Sequence, residues 1–108
     1  IMAFDTGEVL DGMLGAAAGI LSKEWPSVRA CVETAWEDER DAIEAIAQAR
    51  LTGEIDDDDV KSQLADEKDT LSAALLVCKV KGKVAAQKAA NAAIKVLANA
   101  IKAALKAL

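Results

Sequence analysis

Histidine and tyrosine are absent from this chain, proline occurs once, and aromatic residues make up 3% of its 108 positions. Without histidine the chain lacks the commonest general base near neutral pH and the commonest transition-metal ligand. A Ser-His-Asp or Cys-His mechanism cannot be assembled within one chain. A di-iron bundle site of the carboxylate-plus-histidine kind lacks its histidines. The two cysteines, Cys31 and Cys78, cannot complete a zinc site alone. The expectation is a chain that is not an enzyme and carries no cofactor. The shortage of aromatics and of period-two alternation also excludes a sheet.

What is abundant is alanine, the best helix former. Apolar residues reach 53%, enough for a core, but an alanine-rich core is thin and requires closely spaced helices. The length suits one domain, residues 1–108. The fold class expected is all-α, a water-soluble, antiparallel, up-and-down bundle of three to four helices. The most apolar stretch, residues 9–21, is too short to cross a membrane and contains Asp11 and three glycines. No charged-then-apolar leader precedes it, and a cytoplasmic location is favoured. The chain begins at Ile1 rather than methionine, which points to a trimmed or replaced N-terminus, so the missing leader carries little weight.

Four helical segments can be read. The first covers residues 6–23, with Asp5 as N-cap and Glu8 three residues on as its capping-box partner. Leu10, Met13, Leu14, Ala17, Ile20 and Leu21 form its apolar side. Gly12, Gly15 and Gly19 read as positions of close helix packing, because their spacing matches no phosphate-binding loop. Pro26 opens the second helix, where a first-turn proline is tolerated, and the helix runs to residue 51. Trp25, Val28, Val32, Trp36, Ile43 and Ile46 share one of its faces at 100° per residue. Gly53 is the expected C-terminal cap.

Asp56 to Asp59 open the third helix, complementing the positive end of its dipole. Val60, Leu64, Leu71, Leu75 and Cys78 carry its stripe. Residues 73–78 are apolar around the whole circumference, which implies burial on more than one side, in a bundle or against a second chain. Gly82 is the expected turn into a fourth helix over residues 84–107. The alternative is one continuous helix of about 50 residues, near 75 Å long. The last stripe is Ile94, Leu97, Ile101, Leu105 and Leu108, with Gln87 and Asn91 intruding as polar residues that fix register.

Charge divides the chain sharply. Residues 1–78 hold all eighteen acids and six basic residues, net −12, whereas residues 79–108 hold seven lysines and no acid, net +7. Antiparallel packing of the basic helix on acidic ones, in one molecule or its twin, accounts for this most simply. Lys81, Lys88, Lys95 and Lys102 recur every seven residues, like one flank of a packed helix. The lysine-rich segment has neither the arginines nor the aromatics of a nucleic-acid binder, so no nucleic-acid partner is expected.

Two carboxylates fall inside apolar stripes. Glu39 lies about 20° from Val32, and Glu67 about 40° from Leu71. Each is fourteen residues from Gly53, so an antiparallel hairpin brings them level. Facing carboxylates raise one another's pKa or recruit a cation, which makes Glu39 and Glu67 the candidates for a metal site. The simpler expectation is that both reach solvent or are neutralised by Arg40, Arg50 or Lys68. The same mirror places Cys31 within a turn of Cys78, so a disulfide is geometrically conceivable. Cys31 points off the stripe, however, and both cysteines read as small buried apolar residues with free thiols.

The function expected is a non-enzymatic helical interaction or assembly module that associates with itself or with a helical partner. Its contact residues would be Leu75, Leu76, Val77, Val80, Ile94, Leu97, Ile101 and Leu105. The alternative is contact with membrane or lipid through the glycine-rich first helix and the lysine-bearing last one. A carboxylate metal-binding bundle comes third.

Overall fold

A computed structural model describes residues 4–108. It is 85% helical, and the described residues contain no strand. The elements are α1 (Thr6–Leu21), a 3-10 turn at Ser22–Glu24, α2 (Trp25–Glu37), α3 (Arg40–Leu51), α4 (Asp57–Val77) and α5 (Lys83–Lys106). With α2 and α3 counted as one interrupted rod, this is an up-and-down bundle of 39 × 24 × 20 Å.

The caps act largely as their residue types dictate. Asp5 accepts from the Glu8 N–H at 3.1 Å. Asp56 and Asp59 make a complete capping box: Asp59 N–H donates to Asp56 at 2.9 Å, and Asp56 N–H to Asp59 at 3.2 Å. Gly53, at φ +82°, ends the α3 segment in the left-handed conformation that favours glycine. Gly82, at φ +90°, precedes α5. The turn between α4 and α5 is therefore real, and the continuous-helix alternative is excluded.

The rod expected over residues 26–51 breaks at Asp38–Glu39. There the Glu39 N–H bonds to the Trp36 carbonyl at 3.0 Å, an i to i−3 bond that tightens the turn. Neither glycine nor proline marks the break. Five consecutive charged residues, Glu37 to Asp41, occupy it, and Arg40 folds back onto Glu37. The buried face runs through the break nonetheless: Val28, Val32, Trp36, Ile43 and Ile46 are all core residues.

The centre of the bundle is α5. Its buried face consists of Ala86, Ala89, Ala90, Ala93, Leu97, Ile101 and Ala104, a rotation away from the stripe of large residues expected for it. Gln87 and Asn91 are exposed, so they do not intrude into the core. Alanines let α1 lie close alongside, antiparallel, and a Cβ on Gly12 would stand 3.2 Å from Val96 Cγ1. Gly12 is thus a close-packing glycine, whereas Gly15 and Gly19 face open space and Ile20 is exposed, against expectation.

Candidate functional site

The hairpin of α3 and α4 does bring the two glutamates together. Glu67 is buried between Leu64 and Leu71, one turn before it and one turn after it on the same face, and shares a side-chain hydrogen bond with Glu39. Burial first, then that hydrogen bond and the Glu39 charge, push the Glu67 carboxyl up to about 7 from its usual 4.5. Its Oε2 is buried without a hydrogen-bond partner. Of the three neutralising cations expected, Arg40 pairs with Glu37 and Arg50 with Asp57, and Lys68 pairs with no acid among the described residues. The solvated reading therefore fails for Glu67, because its stripe position puts it under the α2–α3 rod. Among the described residues no third acid, thiol or imidazole joins the pair, so the pair offers two oxygen donors where a calcium site uses six or more.

The cysteine expectation is overturned. Cys31 and Cys78 form a disulfide with a Cα separation of 5.6 Å, and Cys31 lies at the surface rather than in the core. Disulfides persist in oxidising surroundings, so these cysteines give no support to a reducing compartment. The bond ties the middle of α2 to the end of α4. Beside it is an open cleft of about 660 Å³ lined by Leu21, Lys23, Glu24, Ser27, Val28, Cys78, Lys79 and Lys81. Glu24 bridges the cleft, accepting from the Lys81 N–H at 2.6 Å. Two non-glycine residues with positive φ, Ser22 at +54° and Lys79 at +73°, flank it.

The eight expected contact residues divide clearly. Leu75, Val80, Leu97 and Ile101 are buried in the chain's own core, and Ile94 and Leu105 pack against it. Leu76 and Val77 face outward, 41% and 78% exposed. Helical phase explains the split, since the stripe that buries Leu71, Leu75 and Cys78 leaves positions 76 and 77 to one side. Val84, on the first turn of α5, is 64% exposed at the same end of the bundle. Its exposure escapes the sequence reading because the large residues of the last stripe lie further along. Lys79, Lys81 and Lys83 surround these apolar side chains in sequence. None of the α5 lysines is ion-paired among the described residues, so antiparallel packing on acidic α4 does not neutralise them directly. Among the described residues no helix is long and apolar enough to cross a membrane.

No protein-family model, curated protein or solved structure matches this chain.

Proposed function

We propose that this chain is a non-enzymatic helical interaction module that associates with itself through its Leu76–Val77 tip. The observation that carries the reading is the exposure of these two side chains on a helix whose neighbouring turns are core. Exposed aliphatics clustered at one end mark a contact surface more often than isolated ones do. The Cys31–Cys78 bond and the Glu24–Lys81 hydrogen bond hold that end in place, which lowers the ordering cost of association. Sedimentation of the intact chain over a micromolar to millimolar series tests this. Mass should rise with concentration for the parent and stay at the monomer for Leu76→Ser/Val77→Ser. A parent that remains monomeric throughout would end the proposal.

The membrane reading keeps one supporting observation, the lysines beside the apolar tip. The apolar faces of α1 and α5 on which it first rested are buried in the core. Flotation with anionic vesicles separates the readings, because a membrane-contacting chain would float with the lipid and remain monomeric without it.

A further inference from the structure

Resting on that reading, we infer that the tip of one copy inserts into a groove at the opposite end of the next, joining copies head to tail. The groove lies between the first turns of α4 and the last turns of α5 and has a volume of about 470 Å³. Leu64 and Ile101 form its buried floor, and Val60 and Leu105 are half-buried in its walls. It is open enough to accept more than one aliphatic side chain. Antiparallel packing of α4 and α5 puts this groove and the tip at opposite ends of the bundle.

Charge decides between this arrangement and a tip-to-tip dimer. Residues 79–83 carry three lysines and no acid, and residues 54–59 carry five acids and no base. Asp57 and Asp58 stand on the groove's rim. Asp57 is held by Arg50 at 2.8 Å, while Asp58 has no ion-pair partner among the described residues. Lys61 and Lys102 share the rim, so the groove's own four charges sum to zero, and the acidic excess of this end lies beside it in Glu54, Asp56 and Asp59. A symmetric tip-to-tip contact would set three lysines against the same three, whereas insertion sets them beside the five acids of residues 54–59. Like charges facing one another disfavour the first, and opposite charges favour the second.

The contact is heterologous, so it leaves a free groove and a free tip after each addition and builds open chains or rings. The end face spans 24 × 20 Å between Cα atoms, which is smaller than the roughly 800 Å² per partner of a standard interface. Assembly is accordingly weak and dependent on concentration and salt.

The test uses two variants of the whole chain. Leu76→Ser/Val77→Ser removes the tip, and Asp57→Lys/Asp58→Lys makes the groove's rim wholly basic. Head-to-tail joining predicts that each alone is monomeric by sedimentation, and that an equimolar mixture forms a 1:1 pair and nothing larger. The mixture retains one intact tip and one intact groove. The parent should form species beyond the dimer, and raising salt from about 0.05 to about 0.5 M should dissociate them. If the basic-rim variant dimerises like the parent, or salt strengthens assembly, the head-to-tail inference is overturned while self-association stands. A monomeric parent overturns both. Should the double lysine variant lose helicity by circular dichroism, Leu105→Lys on the groove wall replaces it, with the same outcomes.

Discussion

Two turns of this chain end their helices with the same hydrogen bonds and different residues. After α3, the Gly53 N–H donates to the Arg50 carbonyl at 3.2 Å and the Glu54 N–H to Ala49 at 2.9 Å. After α4, the Lys79 N–H donates to Leu76 and the Val80 N–H to Leu75, both at 3.0 Å. Each is a Schellman pair, which requires its first residue in the left-handed region. Gly53 enters that region without a Cβ penalty, whereas Lys79 occupies it at φ +73° against one. The glycine turn is specified locally and is followed by an aspartate capping box. The lysine turn is held from outside, by the disulfide, by Glu24 and by burial of Val80. Strained residues persist where surroundings over-determine them, and they concentrate at functional ends.

The largest expected effect breaks that external support. Cys31 and Cys78 are 47 residues apart, and loop closure over that distance is worth about 4 kcal/mol. Urea unfolding with a thiol reductant, or of Cys31→Ser/Cys78→Ser, should show a loss of that order. Hydrogen exchange should rise first around residues 76–84 and leave residues 50–57 protected. Coincident unfolding curves, or equal loss of protection at both turns, would contradict the contrast between them.

The second effect reads out the register that the glycine turn sets. Glu67 meets Glu39 because both are fourteen residues from Gly53. Its folded pKa, about 7, exceeds the usual 4.5, so the native state holds the proton more tightly than the unfolded chain does. Stability therefore falls as pH rises from about 4.5 to about 7 and levels off above that. Glu67→Gln mimics the protonated form. It should leave stability nearly unchanged at about pH 4 and raise it by roughly 1–3 kcal/mol at about pH 8. Thermal unfolding at the two pH values checks this, and equal shifts at both would refute it.

Much of this contrast was legible, for identifiable reasons. Asp5, Asp56 and Gly53 are local signals whose chemistry does not depend on the rest of the fold. The faces of α2, α3 and α4 follow from periodicity because their buried residues are large. The buried face of α5 was not legible in full, because alanine reads equally well as core or as surface, and only the nearness of α1 decides. The break at Asp38–Glu39 uses neither glycine nor proline. The disulfide requires Cα atoms within about 7 Å, a distance that depends on how the middle of α2 packs on the end of α4. Lys79 gave no sign of a left-handed turn, since the residue type argues against it. At the candidate site, phase alone separated outward Leu76 and Val77 from buried Leu75.

A milder perturbation separates the two turns directly. Gly53→Ala places a Cβ at φ +82°, where nothing within 4 Å obstructs it, so the cost is conformational and should be roughly 1–2 kcal/mol. The equivalent removal of a Cβ at the other turn has the opposite sign and a smaller size.

Lys79→Gly relieves a left-handed penalty of about 1–2 kcal/mol. It also gives the unfolded chain more freedom, which returns roughly 0.5–1 kcal/mol. The net expectation is a gain between zero and about 1.5 kcal/mol, measured by urea unfolding at a concentration where the chain is monomeric. The same substitution removes one of the three lysines from the tip, so head-to-tail assembly should weaken in the same preparation. Stability and assembly then move in opposite directions, the pattern expected where a residue is kept for its contact rather than for its turn. A variant that is less stable than the parent would mean that Lys79 makes a stabilising interaction in the native monomer that outweighs its strain. A variant that is more stable but assembles unchanged would detach the strained lysine from the docking end.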